Sequence, residues 1–139
     1  MSSTNPHCRY ELINEDIHTF TLLKNSEQAV NEWLNTMSGL YDDLLAELNG
    51  DLSRHDGPVR ILIRVKPRLM PLAYLLHAHS RWEKAHPQRL PARIAIIYRA
   101  GMMAPILGRI TSAVHPSDET RFFNMSNEQE AITWLRTND

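Results

Sequence analysis

The stretch Val59-Arg60-Ile61-Leu62-Ile63-Arg64-Val65 decides the fold class of this chain. Its short, almost continuous run of β-branched and apolar residues is typical of a strand buried in a parallel sheet. The following Lys66-Pro67-Arg68 ends the run. Parallel neighbours in a sheet are joined by crossover connections, which are usually helices, so helical patterns are expected on both sides of this strand.

Amphipathic helices are indeed predicted before and after it. The first begins at Asn25-Ser26-Glu27-Gln28, where Asn25 is expected to cap the helix and Gln28 to reach back, and it ends at Asn49-Gly50. Pro71 suits the first turn of the second helix, and Pro87 stops it. Apolar residues recur at spacings of three and four along the first helix: Val30, Trp33, Leu34, Met37, Leu40, Tyr41, Leu44, Leu45 and Leu48.

The strand-then-helix pattern repeats towards the C-terminus. Residues 92–98 predict a strand, Ala100-Gly101 a turn, and Pro105 the first turn of a third helix. Residues 121–125 predict a last short strand, and Ser126-Asn127-Glu128-Gln129 is typical of a capping box that opens a fourth helix. The inner positions of these two helices are Ile106, Leu107, Ile110 and Val114, and Ala131, Ile132 and Leu135.

A β-hairpin is predicted at the start of the chain. Residues 10–13 and 17–22 have the pattern of strands, and the polar turn Asn14-Glu15-Asp16 separates them. Alternation places Ile17, Thr19 and Thr21 on one face, with His18, Phe20 and Leu22 on the other. The whole pattern predicts an α/β fold with a small, mostly parallel sheet, an N-terminal hairpin and four helices in the order ββαβαβαβα.

The composition indicates one globular domain covering residues 1–139, of which 1–7 are expected to be flexible. Its 42% hydrophobic and 22% charged residues are ordinary values for a domain that can bury a core. A formal net charge of −1 argues against a dedicated nucleic-acid binder, which would be clearly basic. The single cysteine, Cys8, excludes an intrachain disulfide and is interpreted as a half-buried residue rather than a nucleophile. Without a secretory signal or membrane span in the sequence, a cytoplasmic location is the default expectation.

This layout resembles the SpoIIAA-like group of small α/β domains, also called STAS (sulfate transporter and anti-sigma factor antagonist) domains. The resemblance covers roughly residues 8–136. It rests on the strand at 60–65 with its helix at 72–82, on the strand at 92–98 with its helix, and on Arg121-Phe122-Phe123 followed by Glu128-Gln129-Glu130-Ala131-Ile132-Thr133-Trp134-Leu135. It implies a non-enzymatic regulatory or protein-interaction module, and a homodimer is compatible with it.

One departure from the family pattern bears on mechanism. Anti-sigma factor antagonists of this kind have a phosphorylatable Ser or Thr just after the central strand. Here that segment is Lys66-Pro67-Arg68-Leu69-Met70-Pro71, which contains no hydroxyl group. The sequence therefore does not support the usual phosphorylation switch.

No enzyme, metal or cofactor motif is evident in the sequence. His77 and His79 are two residues apart on a helix and point away from each other, so they cannot share a metal ion. His79 is better interpreted as a core or boundary histidine. No Gly-rich phosphate loop or nucleophile elbow is present. Core positions rather than an interface are also predicted for the three tryptophans, Trp33, Trp82 and Trp134.

Two arginines interrupt the apolar run of the central strand. Arg60 and Arg64 are expected to share one face of it. They are predicted to snorkel past a helix edge or to pair with acids on the first helix, such as Asp42, Asp43 or Glu47. A structural role is favoured over a functional one.

A group of cations follows two neighbouring strands. Lys66 and Arg68 come after the strand at 59–65, and Arg99, beside Gly101, comes after the next. Because ligands of parallel sheets bind beyond the carboxyl ends of the strands, these residues form a candidate site for an anion or a partner protein. The alternative is that they are ordinary solvated residues.

Two functional hypotheses from different classes follow. In the first, the chain is a regulatory module that binds a protein partner, which the sequence does not identify. In the second, it carries or senses a small anionic ligand or lipid headgroup at the strand ends.

Overall fold

The computed structural model describes residues 7–24, 26–51, 57–66, 72–86, 91–98 and 119–137. These residues form five strands and three α-helices. The strands are β1 (Cys8–Ile13), β2 (Ile17–Leu22), β3 (Val59–Val65), β4 (Ala92–Tyr98) and β5 (Glu119–Asn124). The helices are α1 (Glu27–Glu47), α2 (Leu72–Ala85) and α3 (Glu128–Arg136), and a 3₁₀ turn (Met125–Asn127) leads into α3.

The five strands form one sheet in the order β1-β2-β3-β4-β5. The β1–β2 hairpin is antiparallel, whereas β2–β3, β3–β4 and β4–β5 are parallel. In the central strand, Leu62 lies beside Thr19 of β2 and Ala95 of β4. The predicted α/β class, the N-terminal hairpin and the mostly parallel sheet are therefore confirmed.

The predicted order ββαβαβαβα is matched only in part. The expected helix with inner positions Ile106, Leu107, Ile110 and Val114 lies outside the described residues. The described part of the chain has the order ββαβαββα.

Helix α1 begins with a side-chain cap and ends with backbone caps. Its N-cap is Ser26, whose Oγ accepts from the N–H of Ala29 at 3.2 Å, so the predicted cap at Asn25 is wrong by one residue. At the other end, the N–H of Asn49 donates to Ala46 and that of Gly50 to Leu45. Asn49 and Gly50 have φ values of 55° and 80°, a left-handed conformation that the predicted Asn-Gly stop supplies at low cost.

The start of α3 differs from the predicted capping box. The side chain of Asn124 accepts from the N–H of Ser126 and so caps the 3₁₀ turn, while α3 itself starts at Glu128 without a side-chain cap from Asn127. Glu128, the first residue of α3, extends to an arginine of the sheet that is described below.

The two faces of the sheet pack against different helices. One face carries Phe20, Leu22, Ile61 and Ile63 and packs against α1 and α2. The other carries Ile17, Leu62, Ala95 and Ile97 and packs against Ala131 and Leu135 of α3. The predicted alternation of β2 is thus confirmed, since Phe20 and Ile17 belong to opposite layers.

Strand β1 is tied to α1 through Glu32. One oxygen of this carboxylate accepts from the backbone N–H groups of His7 and Cys8 at 3.0 Å, and the other lies 2.7 Å from Nδ1 of His7. Cys8 is fully buried beside this contact rather than half-buried as predicted. In the described residues, no helix has the length and apolar character needed to cross a membrane.

Truncation of Leu62, a fully buried residue in the middle of β3, tests the two-layer packing. We predict that Leu62→Ala lowers the free energy of unfolding by about 2–5 kcal/mol, because Leu62 is fully buried in the core between the sheet and α3 and its truncation leaves a cavity there. Urea denaturation measures the change. Leu45→Ala is the matched control: Leu45 is 41% exposed, so a change within about 0.5 kcal/mol is expected. Equal effects of the two substitutions would contradict the packing described.

The thiol of Cys8 should be inert in the folded chain. Burial, with a smaller contribution from the nearby Glu32 carboxylate, raises the pKa of Cys8 to about 12. A disulfide reagent such as dithionitrobenzoate, applied at mildly alkaline pH, is expected to react only after denaturation, since attack needs an accessible thiolate. Rapid reaction of the native chain with one equivalent of reagent would show that Cys8 is accessible.

Candidate functional site

The predicted basic site lies only partly within the described residues. Lys66 follows β3 at the carboxyl edge of the sheet, where it is exposed and its backbone N–H donates to Leu22 at 3.2 Å. Lys24, which is also exposed, comes two residues after Leu22 on the neighbouring strand. Arg68, Arg99 and Gly101 lie outside the described residues. The structure thus brings Lys66 close to the end of β2, and the convergence of all three predicted cations stays a prediction.

Arg64 has a structural role in a three-member ion-pair cluster. Its Nε and Nη2 donate to the two carboxylate oxygens of Glu128 at 2.7 and 3.0 Å, and its Nη1 donates to Glu11 at 3.1 Å. The hydrogen bond with Glu128 is the main cause of the raised pKa of Arg64. Bidentate pairs of this kind are among the strong charge-assisted hydrogen bonds.

Arg60 contacts the C-terminal end of α3, the helix that begins at Glu128. Its Nε donates to the carbonyl oxygen of Leu135 at 2.8 Å, and its Nη1 lies 3.9 Å from Asp16. The predicted pairing of Arg60 and Arg64 with acids of α1 is therefore wrong, because both arginines lie on the sheet face that α3 covers.

Arg93 on β4 completes the contacts to α3, and no role was predicted for it from the sequence. It is buried, and its Nη1 donates to the carbonyl oxygen of Thr137 just beyond the helix. Its Nη2 lies 3.6 Å from Glu119, and its guanidinium carbon lies 4.4 Å from the centroid of the Trp134 ring. The parallel register places Arg93 directly beside Arg60 of β3, so two adjacent strands each direct a cation to the C-terminal end of α3.

His79 of α2 and His86, which directly follows α2, lie in an aromatic stack. His79 stacks between Trp33 and Trp82, with ring centroids 5.5 and 6.2 Å away, and His86 stacks on Trp82 at 4.4 Å. Trp82 also donates from Nε1 to the hydroxyl of Ser38 at 2.8 Å. The prediction that His79 is a boundary histidine and that Trp33 and Trp82 belong to the core is confirmed. Among the described residues, no three His, Cys, Asp or Glu side chains come together as metal ligands would.

An open groove of about 380 Å³ lies between β5 and α3. Arg121 extends over it, with its guanidinium carbon 5.6 Å from the centroid of the Phe123 ring and 5.8 Å from that of the Trp134 ring. Trp134 is half-buried and faces this groove, so its predicted place in the core is only partly correct. The described residues that line the groove are Arg121, Phe123, Gln129, Glu130, Thr133 and Trp134.

The sequence interpretation did not identify this groove as a site. The alternation of β5 places Arg121 and Phe123 on one face, which was the available signal. What the sequence could not show is that α3 crosses the same face and brings Trp134 to them.

The comparisons with known proteins agree with the fold. A family model described as SpoIIAA-like matches residues 24–136, which is most of the chain. No curated protein and no solved structure matches it. The matched segment runs from just after the hairpin to the last residue of α3, and so includes the central strand and the helices of both layers. The chain belongs to the SpoIIAA-like family.

Proposed function

We propose that this chain is a non-enzymatic regulatory module that acts by binding a protein partner at the carboxyl edge of its sheet. Membership of the SpoIIAA-like family supports a role of the anti-sigma factor antagonist kind. The observation that carries the proposal is the position of Lys66, which is exposed directly after the central strand β3.

The segment after the central strand is where the related antagonists have a phosphorylatable hydroxyl. Here it starts with a fixed positive charge and contains no Ser or Thr up to Pro71. Phosphorylation of Ser or Thr acts by adding negative charge, and this segment offers no hydroxyl to receive it. The proposed module therefore binds its partner constitutively, and the partner's docking surface is acidic because it must complement Lys66 and the neighbouring cations.

A second candidate function is the binding of a small anion at the same edge. The backbone hydrogen bond from Lys66 to Leu22 places two exposed lysines, Lys24 and Lys66, on adjacent strand ends. Ammonium groups bind phosphate and carboxylate as point charges, and the sequence adds Arg68 and Arg99 to the same predicted edge. A phosphate-bearing metabolite or lipid headgroup is the ligand class that fits.

Affinity capture from the native cell extract tests the first proposal. We predict that the wild-type chain enriches one specific protein, identified by mass spectrometry. The Lys66→Ala, Arg68→Ala, Arg99→Ala triple variant should lose it, because the docking charges are gone.

The matched control removes three exposed cations elsewhere, Arg81, Lys84 and Arg136. This control should retain the partner. Equal loss in both triple variants would mean that net charge alone mediates capture, and no reproducible partner in the wild type would refute the proposed function.

An anion panel tests the second candidate. A phosphate-bearing ligand present at about 100 times its Kd should stabilise the folded chain by about 2.7 kcal/mol, which appears as a raised melting temperature. The shift should disappear in the Arg68→Ala, Arg99→Ala variant. A panel of phosphates, carboxylates and anionic lipid headgroups that gives no shift would eliminate the carrier hypothesis.

A further inference from the structure

The groove beside β5 has properties that suit a second copy of this chain. Strand β5 is an edge strand of the described sheet, with β4 on one side. An edge strand presents unpaired backbone groups and is a ready template for another strand. We infer that two copies associate through antiparallel pairing of their β5 edges, with the α3 grooves facing each other across the two-fold axis.

The charges of the groove favour a second copy over an unrelated peptide. Among the described residues that line the groove, Arg121 is an exposed cation and Glu130 an exposed anion. Neither forms an ion pair within the part of the chain that the structure describes. A two-fold interface must be self-complementary, and a patch with one charge of each sign around aromatic rings meets that condition. An acidic peptide would instead meet Glu130 as a like charge.

The charged residues of β5 disfavour two of the possible registers. Residues directly opposite in an antiparallel pair lie on the same face of the sheet, so the two-fold axis must pass through a residue. An axis at Arg121 would oppose two guanidinium groups, which is destabilising. An axis at Thr120 would pair Arg121 with Glu119, but Glu119 already lies 3.6 Å from Arg93.

An axis at Phe122 avoids both problems. It places Arg121 opposite the second copy's Phe123, at the end of β5 from which the chain leads into α3, and Glu130 lies on the first turn of that helix. Arg121 then meets an aromatic face and the Glu130 carboxylate of the second copy together. The central pairs of this register fall within residues 120–124, which the structure describes as strand.

This inference deepens the proposed function by naming one partner of the module, and it uses a different surface from the carboxyl edge. The interface is short, so association is expected to be weak. Sedimentation equilibrium of the full chain, from about 10 μM to about 1 mM, covers the range in which such small interfaces form.

The expected results depend on charge. The wild type should self-associate, and Arg121→Glu or Glu130→Arg should each weaken the dimer by at least about tenfold, since each creates a like-charge contact. The double variant Arg121→Glu, Glu130→Arg should restore it, because the exchanged charges again pair across the axis. Recovery in the double variant also shows that the single variants lost association rather than folding.

Arg9→Glu is the matched control, because Arg9 is an exposed arginine on the other edge strand, β1. It should leave the dimer intact. A chain that stays monomeric at about 1 mM would overturn the inference, and so would a dimer that is lost on Arg9→Glu but retained on Arg121→Glu. These outcomes are independent of whether a cellular partner is captured, so failure of the dimer and failure of the proposed function are distinguishable.

Discussion

The second layer of this fold depends on three arginines that hold the two ends of one short helix. Arg64 donates to Glu128 in the first turn of α3, while Arg60 and Arg93 donate to carbonyl oxygens at its C-terminal end. An acidic residue at the start and cations at the end both complement the helix dipole. A nine-residue helix is too short to be stable alone, so these contacts, with the burial of Ala131 and Leu135, keep it on the sheet.

These contacts distinguish the cations that have a structural role from those that are exposed and could bind a ligand. Arg60, Arg64 and Arg93 all have donors directed to α3 or to carboxylates beside it. Lys24 and Lys66 are exposed instead, at the carboxyl edge of the sheet. A positively charged residue on a central strand is therefore not by itself a sign of a binding site in this fold. Such residues are also needed to hydrogen-bond the polar groups at the two ends of a helix that packs on the sheet.

The strands could be predicted from the sequence better than the partners of their side chains. The hairpin, the central strand and the alternation of Ile17 and Phe20 follow from periodicity, which is a local property. Which residues pair with Arg64 depends on which helix covers its face of the sheet. This is a long-range property, and the sequence pattern was compatible with either α1 or α3. Likewise, Ser26 rather than Asn25 caps α1, since a one-residue shift between two good capping residues is decided by the backbone geometry. For the predicted basic site, only Lys66 lies within the described residues.

The two proposed surfaces have a definite geometric relation. Lys66 lies at the carboxyl end of β3, whereas the groove lies between α3 and β5, and β5 is two strands away from β3 in the sheet. Antiparallel pairing of two β5 strands reverses the direction of every parallel strand across the axis. The two carboxyl edges of the proposed dimer would then lie at opposite ends of one continuous sheet. The proposed dimer would present two separate docking edges, and each edge would bind its own partner molecule rather than a second site on the same one.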